Sequence, residues 1–132
     1  IANYQLVIWI LVLFQQTLTI RKLLSIFLSK YYDVETKADG LEALRWIQDG
    51  NSPDLIICDI QMPNMNVHDF VMNIRASGMH NKIPLLMLSG EEESETRIKF
   101  YKLRVRNFIT KPYNPEELLV LIKLILGEEI ED

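Results

Sequence analysis

The chain has 132 residues, a single cysteine and a formal net charge of −4 at pH 7. One cysteine excludes a disulfide framework, and the length is sufficient for one domain with a substantial hydrophobic core. The negative net charge provides no general attraction to nucleic acid, so we expect this domain not to bind it.

The first predicted element is a strand over residues 6–14, an unbroken apolar run that Gln15 and Gln16 close. The run is much shorter than the roughly 20 residues that cross a bilayer, and no signal-peptide features accompany it. We therefore expect a cytoplasmic protein with no membrane segment. Residues 1–8 are predicted to be a leading segment or linker, residues 9–126 the domain, and residues 127–132 an acidic tail.

Further strand-like runs alternate with segments of helical period along the rest of the chain. This alternation is typical of an α/β fold with a parallel sheet, here a (βα)5 three-layer sandwich with five strands. The later strands are predicted over 33–38, 55–59, 84–89 and 107–110.

Several helix ends carry capping signals. Asp39 opens a capping box, and Asn114 followed by Pro115 predicts the start of the last helix. Gly50, Gly78 and Gly127 are predicted to end helices.

Polar residues stand where three of the predicted strands end. Asp59 ends the third strand, Ser89 ends the fourth, and Lys111 follows the fifth. Ligands of open parallel sheets bind at the carboxyl ends of the strands, so we expect these side chains to converge there. Each of them alone has an ordinary explanation as a cap or turn residue, and their order and spacing together carry the signal.

The segments around these residues closely resemble the receiver domain of bacterial two-component response regulators. They are PDLIICDIQMP over 53–63, LLMLSG over 85–90 and FITKPY over 108–113. The resemblance covers roughly residues 9 to 126 and implies the flavodoxin-like receiver topology. It also implies a histidine kinase or a phosphotransfer protein as partner.

The resemblance assigns a role to each site residue. Asp59 takes the position of the phosphoacceptor, Ser89 that of the switch hydroxyl, and Lys111 that of the cation paired with the phosphoryl group and Asp59. Phe108 falls at the position of the switch aromatic, and the Gln61 backbone carbonyl at that of a Mg²⁺ ligand.

The acidic pair that helps to hold Mg²⁺ in this family is missing. Gln15 and Gln16 follow the first strand in its place, and no Asp or Glu precedes Asp33. Because Mg²⁺ favours anionic oxygen ligands and a Gln amide brings no charge, we expect Mg²⁺ binding to be weak or absent. The sequence therefore predicts a degenerate receiver with impaired phosphorylation that acts through protein contacts.

The last predicted helix is more apolar than a core-facing helix requires. Every residue over 118–126 except Lys123 is large and apolar, whereas covering a sheet takes a stripe about 100° wide. Tyr101, Tyr113 or the first helix covers the surplus, or the surplus forms a protein contact. The second interpretation predicts a homodimer, or a standing contact with a different protein, through helix 4, strand 5 and helix 5 without phosphorylation. The resemblance implies pairing through this face.

Two other functions are compatible with a strand-end Asp. One is an aspartyl-phosphate phosphatase of the haloacid dehalogenase type, and the other is a purely structural interaction domain. The phosphatase chemistry needs a second Asp two residues after the nucleophile as general acid, and Gln61 stands there. We therefore expect no enzyme activity.

Overall fold

The computed structural model describes residues 5–9, 22–37, 40–59, 67–90, 94–110 and 112–130, with the backbone alone for 5–9 and Asp59. Its strands form one parallel sheet in the order β2-β1-β3-β4-β5. They are β1 Gln5–Trp9, β2 Asp33–Thr36, β3 Leu55–Asp59, β4 Leu85–Ser89 and β5 Asn107–Thr110. This arrangement confirms the predicted α/β fold with a five-stranded parallel sheet.

Helices follow the strands, as parallel neighbours require crossover connections. They are α1, described over residues 22–28, α2 Gly40–Gln48, α3 Val67–Ala76, α4 Ser94–Lys102 and α5 Pro115–Leu126. In the described ranges, no helix is long and apolar enough to cross a membrane.

Strand β1 begins earlier than the predicted domain boundary. Gln5 pairs with Asp33 of β2, and Leu6 pairs with both Val34 of β2 and Leu55 of β3. Residues 5–8 therefore belong to the sheet, and the prediction that they form part of a leading segment was wrong. Their pairing is made by backbone groups, which places even polar Gln5 in the strand. Residues 10–14 of the predicted first strand lie outside the described residues.

Side chains of the sheet alternate between two hydrophobic layers. Ile56 and Cys58 of β3 belong to the cluster beneath α2, α3 and α4, whereas Leu55 and Ile57 belong to the cluster beneath α1 and α5. All four side chains are fully buried. This alternation is the period of two expected of a strand that is covered on both faces.

Helix α5 has the caps that its sequence predicts. The Asn114 side chain accepts a hydrogen bond from the Glu116 backbone N–H at 2.8 Å, and Pro115 is the first helical residue. Gly127 closes the helix in the left-handed conformation with φ 76°. Its N–H donates to the Leu124 carbonyl at 3.3 Å, and the Glu128 N–H donates to the Lys123 carbonyl at 2.8 Å.

The end of helix α3 differs from its prediction. The helix stops at Ala76, and the Ser77 hydroxyl accepts hydrogen bonds from the backbone N–H groups of Met79 and His80. Gly78 is not among the described glycines with positive φ, which are Gly50 and Gly127. A serine side chain therefore supports this turn, rather than a left-handed glycine.

Candidate functional site

The carboxyl ends of β3, β4 and β5 meet at one edge of the sheet. The register pairs Asp59 with Leu88 and Ser89 with Thr110, and all three strands end within one residue of each other. Because neighbouring strands lie about 4.8 Å apart, the backbones of Asp59, Ser89 and Thr110 form adjacent positions along this edge. The structure thus brings together the strand ends that the sequence predicted to converge.

Ser89 carries a buried hydroxyl group at the end of β4. Its side chain is fully buried, and its Oγ is the one buried side-chain oxygen or nitrogen of the described residues that has no hydrogen-bond partner. Burying a hydroxyl without a partner costs about 1–3 kcal/mol in proteins. An unpaired hydroxyl at this edge of the sheet is suited to donate a hydrogen bond to an oxygen of a bound group, such as a phosphoryl oxygen.

Phe108 links the strand β5 to helix α4. It is half-buried against the cluster beneath α2, α3 and α4, and its ring meets the Tyr101 ring edge-on with centroids 5.0 Å apart. The position of the predicted switch aromatic therefore contacts α4 directly. A rotation of Phe108 would break this ring contact. A change at the sheet edge that rotates Phe108 would therefore alter how Tyr101 of α4 packs.

A second contact between α4 and the edge was not predicted from the sequence. Arg97 donates a hydrogen bond from Nη1 to the carbonyl of Gly90, the residue after Ser89, at 3.1 Å. The sequence signal was weak, because an arginine in a basic helix is most simply explained as a solvated side chain. The contact fixes the position of Gly90 at the end of β4.

The remaining predicted site residues cannot be placed by contacts. Gln15, Gln16, Gln61 and Lys111 lie outside the described residues, as does the carboxylate of Asp59. Lys111 directly follows Thr110 at the end of β5. The roles assigned to these five residues therefore stay predictions.

The donor set predicted for Mg²⁺ fits that ion poorly. It holds one carboxylate, that of Asp59, with the Gln61 carbonyl and the neutral amides of Gln15 and Gln16. Mg²⁺ in proteins is held through carboxylates and phosphate oxygens with several retained waters. The unpaired Ser89 hydroxyl suits an oxygen of the phosphoryl group and does not supply the missing charge.

Comparisons with known proteins agree on the identity of this arrangement. The profile of the response regulator receiver domain matches residues 12–123. The chemotaxis protein CheY1 of Helicobacter pylori strain J99 is 32% identical over 111 residues, which are 83% of this chain and 90% of CheY1. Among solved structures, chemotaxis response regulator CheY4 of Vibrio cholerae has a TM-score of 0.81 and 30% identity, covering 94% of this chain and 99% of that one.

Other relatives are longer than this chain. The hybrid signal transduction histidine kinase D of Dictyostelium discoideum is 35% identical over 95 residues, which are 72% of this chain and 6% of that protein. The matched region is 44% of the probable transcriptional regulator ycf29 of Pyropia yezoensis. Neither the phosphatase nor the purely structural alternative finds support among these proteins. With most of its length matched by the family profile, this chain belongs to the response regulator receiver domain family, the receiver module of two-component signalling.

Proposed function

We propose that this receiver is impaired in Mg²⁺-dependent phosphorylation at Asp59 and acts through standing protein contacts. Receiver domains are signalling modules that interact with histidine kinases or phosphotransfer proteins. The single observation that carries the proposal is the pair Gln15 and Gln16 in a chain whose first carboxylate is that of Asp33.

The charge balance of the site supports this proposal. An acidic pair together with the phosphoacceptor sets three carboxylates against one lysine, and the surplus negative charge attracts a cation. The predicted site of this chain holds one carboxylate, that of Asp59, and one lysine, Lys111, so its two charges balance without a metal. Phosphoryl transfer depends on cations that neutralise the charge of the transferred group, so a site that recruits Mg²⁺ poorly transfers slowly.

The decisive experiment is labelling of Asp59 by acetyl phosphate in the presence of Mg²⁺. We expect labelling at least about tenfold slower than in a receiver that has the acidic pair, because one tenfold step corresponds to about 1.4 kcal/mol of lost charge stabilisation. Phosphoprotein gels and intact-mass spectrometry measure the rate, with Asp59→Asn as the unlabelled control. Labelling at the rate of the acidic-pair receiver would refute the impairment.

The biological output is expected to be insensitive to Asp59→Asn. If standing contacts carry the signal, removing the phosphoacceptor carboxylate leaves the output of the wild type within about twofold, a change below 0.5 kcal/mol in any binding step. A reporter of the pathway, measured at matched protein abundance, tests this. Loss of output from a folded Asp59→Asn protein would instead identify a phosphorylation-dependent regulator.

For the standing contact we propose a second copy of this chain, bound at the β5 edge of the sheet. There α4 and α5 lie on opposite sides of the edge strand β5. Four large apolar side chains of these helices are exposed, namely Ile98 at 52%, Tyr101 at 53%, Val120 at 39% and Leu124 at 59%. Exposed large apolar side chains on elements that flank one sheet edge are suited to a protein contact.

Charge complementarity favours a second copy as the occupant. Exposed Lys99 and Lys102 lie on α4, and exposed Glu116 and Glu117 lie in the first turn of α5. A twofold axis across this face would bring the basic side chains of one copy against the acidic side chains of the other. Leu119 is not part of the face, because it packs against the cluster beneath α1 and α5.

We therefore expect the double variant Ile98→Glu and Leu124→Glu to dissociate the dimer. Four like charges would be buried in a twofold interface, which raises the dissociation constant at least about a hundredfold. Light scattering at micromolar concentration reports the mass of each protein. Leu23→Glu, at a side chain 62% exposed on α1, is the matched control and leaves the dimer intact. A monomeric wild type contradicts the proposal.

A further inference from the structure

A basic cavity lies at the end of the sheet opposite to the candidate phosphorylation site. It has a volume of about 250 Å³ and lies where β4 and β5 begin, over Leu85. Since β4 runs from Leu85 to Ser89, and five residues of parallel strand span roughly 13 Å, the cavity is separate from the edge that holds Asp59. We call it the basal pocket. Its polar lining consists of Arg75, Asn81, Lys82, Arg104, Arg106 and Asn107.

Four of these side chains are cations, and no carboxylate lines the pocket among the described residues. The ion pair that the structure describes joins Lys37 and Glu35 and lies elsewhere. Lys82, Arg104 and Arg106 are exposed, so their charged groups are accessible from solvent. The pocket is therefore a concentration of positive charge in a chain whose net charge is −4.

Arg75 forms the fixed part of the pocket. Its Nε donates to the Leu103 carbonyl at 3.0 Å, and its Nη1 donates to the carbonyls of Asn81 at 3.1 Å and Ile83 at 3.0 Å. A longer bond of 3.4 Å joins Nη2 to the Arg104 carbonyl. These bonds use four of the five guanidinium N–H groups and hold two loops together. They are all made to neutral carbonyls, so the charge of Arg75 is not neutralised.

Arg104 is held in an uncommon backbone conformation beside this charge. Its φ of 66° lies in the left-handed region, where glycine is favoured and a long side chain is uncommon. Burial, and then the charge of Arg104, lower the pKa of Arg75. Arg104 therefore holds its charge beside the half-buried charge of Arg75 while its backbone is strained. This arrangement is unfavourable unless an anion offsets the repulsion between the two guanidinium groups.

We propose that the basal pocket binds a small polyanion of the phosphate class, with diphosphate as its simplest representative. Guanidinium groups present paired N–H donors that match phosphate oxygens, and Lys82 adds a further cation. The cavity is smaller than the roughly 300–1,000 Å³ that holds drug-sized ligands, which suits a compact polyphosphate or a phosphorylated metabolite. A small ligand is favoured over a nucleic acid because the cations converge in one cavity instead of extending along a surface.

Calorimetric titration of the full chain with sodium diphosphate tests this assignment, together with amide chemical shifts. We expect saturable binding, with shifts at Leu85 and Asn107. The double variant Arg104→Gly and Arg106→Gln should bind at least about tenfold more weakly, since each charge-assisted hydrogen bond contributes on the scale of a tenfold change in affinity. Glycine suits the φ of residue 104, so this variant keeps the fold. Lys82→Gln with Arg106→Gln, two exposed positions, provides a second weakened variant.

Matched controls separate the pocket from general charge effects. Lys22→Gln with Lys30→Gln removes the same charge from exposed positions in and just after α1 and should change the affinity less than twofold, as should Asp59→Asn. Four results overturn the assignment: no saturable binding, an equal loss in the control at Lys22 and Lys30, retained affinity in both pocket variants, or binding that depends on residue 59. Binding of an oligonucleotide or acidic peptide without binding of diphosphate overturns it in favour of a macromolecular partner.

Discussion

Replacing Gln15 and Gln16 together with Asp is expected to tighten Mg²⁺ binding at least about tenfold. The substitutions add two carboxylates at the positions predicted for the acidic pair, where the wild-type sequence offers two neutral amides. Mg²⁺ binds through carboxylate oxygens and neutralises their mutual repulsion, so both effects act in the same direction. Calorimetric titration with MgCl₂ measures the gain.

The melting temperature of the same variant is expected to fall without Mg²⁺ and to rise again when Mg²⁺ is added. Three carboxylates near one lysine repel each other in EDTA, so the melting temperature is expected to fall below that of the wild type. Added Mg²⁺ binds the folded state and should restore it, as ligand binding stabilises in proportion to RT ln(1 + [L]/Kd). Gln48→Asp with Ser52→Asp, two exposed positions away from the sheet edge, adds the same charge as a control. A folded variant without tighter binding would show that Gln15 and Gln16 do not stand at the metal position.

Much of the fold could be predicted because hydrophobic period and caps are local properties. The bounds of β3 and β5 match their predictions, and Asn114 and Gly127 cap α5 as expected. The predicted first strand begins one residue after the observed start of β1, because strand pairing is made by the backbone and is insensitive to the polarity of Gln5. Likewise, the turn after α3 depends on the hydroxyl of Ser77 and not on the glycine beside it.

The functional edge was predictable as a set of strand ends, but its contacts were not. Asp59 and Ser89 end neighbouring strands, which the apolar runs before them predicted. The bond from Arg97 to Gly90 and the ring contact between Tyr101 and Phe108 depend on how α4 packs. The basal pocket was also missed, because it depends on Arg75 reaching two loops that are distant in sequence. Such contacts arise from tertiary packing, which no local pattern records.

The largest effect on stability is expected from removing the side chain that attaches α4 to the hydrophobic core. Phe100, 2% exposed, is the buried residue of this helix, whereas α3 buries Val67, Phe70, Val71 and Ile74. Its ring packs into the cluster beneath α2, α3 and α4 and lies near the His68 ring, with centroids 6.1 Å apart. Helix α4 is therefore held to the sheet side mainly through one large side chain.

Phe100→Ala is expected to lower the free energy of unfolding by about 3–5 kcal/mol, the usual cost of deleting a buried aromatic ring. That loss is a large fraction of the about 5–15 kcal/mol that stabilises a typical domain. Urea unfolding measures it, and amide exchange should show α4 opening more often than α3. Met72→Ala, at a side chain 49% exposed on α3, should change stability by less than about 0.5 kcal/mol.

A loss below about 1 kcal/mol for Phe100→Ala would mean that α4 is held by its polar and aromatic contacts instead. Those contacts are the bond from Arg97 to Gly90 and the packing of Tyr101 on Phe108, both of which join α4 to the edge that carries Ser89. The outcome therefore decides which interactions set the position of α4. If Phe100 dominates, changes at the sheet edge can alter these two contacts while the helix stays docked. Helix α4 would then keep the surface that we propose for dimer formation without phosphorylation.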